Sequence, residues 1–431
     1  MHDETMQLLL SVTAAWLIIV AVAQICGRLA PRIGQPPVVG EMVAGVLLGP
    51  SVLGALLPDV SGWVFSVDVK PVLYVIAMTG LCFYMFLVGV EHDHQPTSRR
   101  DAATPVVLGI AGVIVPVGLG ALATLPFVEE FRPDGVSSSV FVLFVAGSLS
   151  VTAFPMLARI LQQRRMNHTR FGATATRAAA IDDALAWCFL AVISALAVHG
   201  SAVAALSTII PAVVFVVAAF WLLPKIFRKP MENAVRNGHI GDGLFVSILC
   251  LVLAAGWFTD YIGIYSVFGG FIAGLALPKV PGFPALLNER ALQLVRCLFL
   301  PVFFAYSGLN TDLGTSFEPV VLLALGIMLV TAFLSKALAS MAVLKAFRWP
   351  WGESVAMSGL MNARGLMILI YINIGLGLGI IDTRLFSVLV LVAIITTALA
   401  VPIYRTHFSD SREADARITE RSKEPHAVSQ S

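Results

Sequence analysis

Apolar residues run along this chain in long stretches, with polar positions gathered into short gaps between them. A helical run of roughly 17 to 25 apolar residues matches the hydrocarbon thickness of a bilayer. Thirteen runs qualify, at roughly 6–26, 36–57, 70–91, 104–126, 138–162, 171–199, 202–224, 243–258, 262–278, 286–308, 318–345, 351–375 and 384–405. The eighth and ninth are short, and the tenth contains Arg290 and Arg296. The pattern predicts an all-α membrane protein of about thirteen transmembrane helices, occupying residues 1–408. The first run lacks a basic leading segment and a small-residue cleavage site, so it reads as a retained helix and not as a signal peptide. Residues 409–431 are polar and charged without apolar periodicity, which predicts a disordered cytoplasmic tail. The tail is too short for a nucleotide-binding domain, so regulation by such a domain is not expected.

Charge supports the count independently, because Lys and Arg collect on the cytoplasmic side of short loops. Arg28 and Arg32, Arg99 and Arg100, the Arg159–Arg170 group, Lys225–Arg236, Lys279 and Arg290, Lys345 and Arg348, and the tail from Arg405 fall on alternate loops. Lys70, Arg132 and Arg384 lie on the other side, and Arg177, Arg296, Lys336 and Arg364 lie within spans, leaving 21 of the 28 basic residues on one face. The alternation places the N-terminus outside and the C-terminus inside, as expected in a bacterial inner membrane.

Two runs carry helix breakers near their middles. The fifth contains Ser148 to Pro155 and the twelfth Ser358 to Gly365. Pro155 removes a backbone donor, while Gly359, Asn362 and Gly365 weaken the other helix. With the seventh run, 202–224, as a linker, each break is in the fifth member of a six-helix half, and the odd linker inverts the second half. Interrupted spans at matching positions of two inverted repeats point to a binding site where they cross. Taken singly, either break has a plainer reading, since Pro and Gly are common in membrane helices.

The sixth run adds the chemistry. Asp182 and Asp183 sit side by side in RAAAIDDALAW (177–187). An ionisable group at that depth costs at least about 2.5–3.5 kcal/mol on insertion scales, and adjacent carboxylates repel one another. Such a pair fits binding of a cation, a proton or a metal ion; the bland alternative is a salt bridge that only ties helices together. Ser150 and Thr152 at the first break offer oxygens of the kind a hard cation takes. Lys336 and Arg364 are the charge partners within the membrane: the lysine is the natural companion of one aspartate, and the arginine can hold fixed charge against broken helix ends. Glu41 and Asn362 are candidates for the access path. Glu353 faces a helix N-terminus favourably. Glu91-His92-Asp93-His94, His168 and His239 read as solvated loop ends, with metal binding or pH sensing as the sharper alternative.

Composition narrows the class. Charged residues make up 13% and hydrophobic ones 58%, against roughly 25% charged in soluble domains, and the mean hydropathy is +0.87. A net charge of +2 dispersed over short loops gives no basis for nucleic-acid binding. Cys26, Cys82, Cys188, Cys250 and Cys297 stand singly in apolar runs and read as core thiols without a disulfide framework. No nucleophile–base–acid set or cofactor motif is present, so neither an enzyme nor a cofactor is expected.

An ordered series of motifs carries a family resemblance: QPPVVGEMVAGVLLGPSVLG (35–54), FLVGVE (86–91), SVTAFPMLARIL (150–161), AAIDDALAW (179–187), VFGGFIAGLALP (267–278), LPVFFAYSGLNTDL (300–313) and MNARGLMILIYINIG (361–375). Together they resemble the cation/proton antiporter-2 family of monovalent cation:proton antiporters, including its plant cation/proton exchanger branch. The resemblance implies thirteen helices in two inverted repeats with two broken crossing helices, and a homodimer. It implies a core bundle (about 104–199 and 318–405) moving by alternating access against a dimerisation panel (about 6–91 and 243–308). By position it implies that Asp183 binds the transported Na+ or K+ and the proton, that Asp182 pairs with Lys336, and that Thr152 lies in an unwound helix. Members with two acids at this place tend to be electrogenic. NARG stands here where the plant branch has NTRG or NTKG, which bears on ion preference. The rival readings are a cation channel or ion-gated sensor on the same scaffold, and a symporter for organic anions, whose substrate the two aspartates would repel.

Overall fold

The computed structural model describes residues 2–91, 103–166, 169–199, 202–312, 314 and 318–408. Among these the chain is helical throughout, without strands. Among the described residues eleven helices are long and apolar enough to cross a membrane, and the pair Trp351–Leu360 and Gly365–Gly377, bent by 41°, counts as a twelfth candidate if it is one broken span. The ninth expected run appears as Ser266–Ala276, an apolar helix of 11 residues, short of the roughly 20 that a perpendicular crossing takes.

The chain divides into two compact units. One comprises residues 1–29, 40–95 and 191–314. Its helices approach closely where side chains are missing: a Cβ on Gly270 would lie 2.3 Å from the Cys82 carbonyl, and one on Gly274 2.1 Å from that of Phe86. The glycines of VFGGFIAGLALP therefore let Ser266–Ala276 press its backbone onto Val69–Glu91, the small-residue packing that holds helices together in lipid. Gly308 meets Gly45 in the same way, where a Cβ would lie 1.9 Å from the Gly45 carbonyl.

Also in this unit, Ala202–Asn237 continues 13 residues past the expected end of the linker at 224. Pro224 and Pro230 do not stop it. Phe227, Met231 and Ala234 repeat at helical spacing and are buried, while Lys225, Arg228, Lys229 and Arg236 stay exposed, so the extension is an amphipathic helix.

The other unit comprises residues 30–39, 96–190 and 315–431. Its described helices include Ala103–Thr124, Ser138–Ser150, Phe154–Gln163, most of Arg170–His199, Pro319–Ala346, the bent pair and Thr383–His407. The acids, the lysine and both broken spans belong to it.

The expectation of core thiols holds for Cys82 alone among the clear cases, since Cys188, Cys250 and Cys297 are exposed on the chain's surface. The reason is the solvent. In a bilayer an apolar side chain is as well placed facing lipid as facing protein, and apolar side chains such as Leu17 and Val217, each more than 60% exposed, stand on the surface of the long apolar helices here.

Candidate ion-binding site

The fifth run breaks at 151–153, between Ser138–Ser150 and Phe154–Gln163. Pro155 is not in the break but in the first turn of the second half, where its missing N–H costs nothing. The twelfth run breaks at 361–364. Gly365 then opens the next helix with φ +48°, a backbone conformation unfavourable to other residues, and its amide donates to Thr397 Oγ1 at 2.9 Å. Gly359 is not at the break either: a Cβ there would lie 2.7 Å from Ile403 Cγ2, so it serves helix packing.

The two breaks are bonded to each other. The Ala153 amide donates to the Ala363 carbonyl at 2.8 Å, and the Thr152 hydroxyl to the Met361 carbonyl at 2.9 Å. Arg364 completes the crossing. Its guanidinium donates to the carbonyls of Leu149, Val151 at 3.3 Å and Ala332 at 2.7 Å. Fixed positive charge thus sits at the carbonyl end of Ser138–Ser150, the negative pole of that helix.

Asp182, Asp183, Lys336, Arg364, Thr152, Ser150 and Asn362 are each no more than 1% exposed. Asp182 is held on both oxygens: Oδ1 accepts from the Lys336 ammonium, and Oδ2 from the Thr152 amide at 3.0 Å. Lys336 donates also to the Gly112 carbonyl at 2.6 Å. Asp183 differs, because neither of its oxygens has a hydrogen-bond partner among the described residues. A buried carboxylate in that position is costly as an anion, and it has every acceptor site available.

The remaining candidates are distributed unevenly. Ser150 Oγ turns back to the Gly147 carbonyl at 2.7 Å, within its own helix. Asn362 donates to the Ser358 carbonyl at 3.0 Å, and its Oδ1 is buried without a partner among the described residues. Glu41 lies on Pro37–Leu48 in the other unit and is partly exposed. Glu353 is in the first turn of Trp351–Leu360. Glu91 accepts from Asn288 at 2.5 Å, and His239 Nδ1 lies 3.2 Å from the Asn237 carbonyl. His92, Asp93, His94, His168 and the tail from 409 are outside the described residues. Among the described residues no group of three metal-ligating side chains occurs.

Reading the residues in order missed Gly112. A Cβ there would lie 2.8 Å from Asp182 Oδ1 and 3.5 Å from Lys336 Nζ. The signal was a glycine pair, Gly109 and Gly112, spaced to face one neighbour; a Cβ on Gly109 would lie 2.8 Å from the Ala178 carbonyl on the helix that carries the acids.

The fold is that of a multi-pass helical membrane protein similar to the sodium proton antiporter MjNhaP1 from Methanocaldococcus jannaschii, with a TM-score of 0.64 over 95% of this chain and 99% of that one, at 15% identity. Residues 17–406 match the family described as "Sodium/hydrogen exchanger, transmembrane". The chain is 35% identical over 396 residues to the Na(+)/H(+) antiporter NhaS4 of Synechocystis, covering 92% of this chain and 96% of that protein. It is 33% identical to Cation/H(+) antiporter 18 of Arabidopsis thaliana and 30% identical to K(+)/H(+) antiporter 1 of Saccharomyces cerevisiae, covering 92% and 88% of this chain but 49% and 44% of theirs. This chain belongs to the sodium/hydrogen exchanger family, a family of transporters and not of enzymes.

Proposed function

We propose that this protein exchanges Na+ or K+ for protons across a bilayer, and that the cation and the proton compete for Asp183. The observation that carries this reading is the contrast between two neighbouring carboxylates: Asp182 is held by Lys336 and Thr152, while Asp183 is buried with both oxygens free of hydrogen bonds among the described residues. A desolvated carboxylate binds a proton or a metal cation to offset its charge, and binding one displaces the other. Ser150 and Thr152 are the candidate cation oxygens, and Asn362 and Glu41 the candidate residues of the access path. Arg364 keeps its charge throughout and stabilises the crossing. Support for the ion pair exchanged comes from relatives named for Na+, for K+ and for H+.

The cycle alternates access to the two sides, with only the cation-loaded and proton-loaded forms crossing, since an uncompensated charge in lipid is too costly. A cation that draws Asp182 away from Lys336 releases a second proton from the ammonium, which makes exchange electrogenic. The core bundle carries the ions and the panel makes a homodimer. A thirteenth crossing by the ninth run, 262–278, of which Ser266–Ala276 is the helical part, completes two inverted repeats around the linker, with the N-terminus outside and the C-terminus cytoplasmic in the cell membrane.

The test is reconstitution into proteoliposomes with a trapped pH dye, adding Na+, K+, Li+ and Rb+ in turn. Exchange drives one ion uphill on the gradient of the other, and the apparent KM for the cation rises as pH falls. Cation flux that only runs downhill, untouched by a pH gradient, would establish the channel reading instead.

A further inference from the structure

The Ala103–Thr124 helix contains a buried proline, Pro116. In an α-helix the amide of residue i donates to the carbonyl of residue i−4, and proline has no amide hydrogen to give. Four residues before Pro116 is Gly112, whose carbonyl accepts from the Lys336 ammonium at 2.6 Å. The proline ring also crowds that carbonyl and tilts it away from the helix axis. Glycine is required at the same point: a Cβ on Gly112 would lie 2.8 Å from Asp182 Oδ1 and 3.5 Å from Lys336 Nζ, in the space where ammonium and carboxylate meet.

We propose that Gly112 and Pro116 are a positioning pair for Lys336: the proline withholds the amide that would occupy the Gly112 carbonyl, and the glycine leaves room for the ammonium and the Asp182 carboxylate to meet against it. The inference rests on the exchange reading for its consequence. When a cation engages Asp182 and Lys336 gives up its proton, the Gly112 carbonyl still accepts a hydrogen bond from the Lys336 amine and holds it in place to regain the proton and pair again. Neither residue touches the transported ion.

Pro116→Ala restores an amide that competes with Lys336 for the Gly112 carbonyl. The purified full chain is melted in detergent as wild type, Pro116→Ala, Lys336→Ala and the double variant. Without Lys336 the restored helix bond has no competitor, so Pro116→Ala raises Tm. With Lys336 present one bond replaces another, and the rise is smaller by roughly 2 °C or more. Pro116→Ser restores the same amide and gives the same sign. In proteoliposomes Pro116→Ala raises the apparent KM for the cation about fivefold with kcat little changed, and adds nothing to Lys336→Ala. Equal effects of Pro116→Ala with and without Lys336, in melting or in KM, overturn the proposal, because the proline then only shapes its helix. Wild-type protein without exchange would dismiss the proposed function and leave the melting comparison to decide the positioning pair.

Discussion

The Ala153 amide and the Ala363 carbonyl, 2.8 Å apart, join the two broken spans backbone to backbone. Each break leaves helix-end groups without a partner in its own helix, and in lipid such groups have no water to turn to. Here each break supplies the other, with the Thr152 hydroxyl on the Met361 carbonyl and Arg364 across Leu149, Val151 and Ala332. The unwound residues are therefore held in place, and the Thr152 amide is left to donate to Asp182.

Asp183→Asn is expected to abolish cation/proton exchange in proteoliposomes while leaving Tm unchanged or higher. The carboxylate has no hydrogen-bond partner to lose among the described residues, and a neutral amide is cheaper to bury. Exchange near the wild-type rate would remove Asp183 from the ion path.

Asp182→Asn leaves the Lys336 ammonium buried without its counter-charge, a loss of roughly 3–5 kcal/mol. Adding Lys336→Met removes the stranded charge, so the double variant should recover most of that stability. Thermal melts of the two single variants and the double variant measure the coupling. Additive losses would mean that the pair is not bonded in the membrane.

Arg364→Lys replaces a planar fork by a single point of charge. An ammonium cannot serve the Leu149, Val151 and Ala332 carbonyls together, so at least one buried acceptor is stranded, at about 1.5–3 kcal/mol for each charged bond lost. A lowered Tm with slowed exchange is the expected result. A variant as stable as wild type would show that charge alone, without the fork, holds the crossing.

Gly112→Ala places a methyl 2.8 Å from Asp182 Oδ1. Overpacking of this kind costs about 1–3 kcal/mol, and here it also pushes the carboxylate away from Lys336. Tm and exchange rate should both fall, whereas Ala at Gly118, which has open space around it, should change neither.

Much of the membrane array was legible because apolar run length is a property of the chain itself, and lipid thickness sets it. Asp182, Asp183, Lys336 and Arg364 stood out for the same reason, as ionisable groups in segments that should have none. Other features misled. Pro155 and Gly359 looked like breakers and are a first-turn residue and a packing contact, because the same residue type serves both uses and only its neighbours tell which. Cys188, Cys250 and Cys297 looked like core because hydrophobicity does not separate a lipid-facing position from a buried one.

What the order of residues determined by itself was the solvent this protein lives in, and the few charges placed against that solvent's preference. Tertiary structure alone decided how those charges are compensated: that Lys336 rests between Asp182 and the Gly112 carbonyl, that Arg364 spans three carbonyls, two from the broken fifth run and one from Pro319–Ala346, and that Asp183 is left without a hydrogen-bond partner among the described residues. The reason is that compensation depends on distances of about 3 Å between groups from 30 to 224 positions apart in the chain, and no local pattern encodes such a distance.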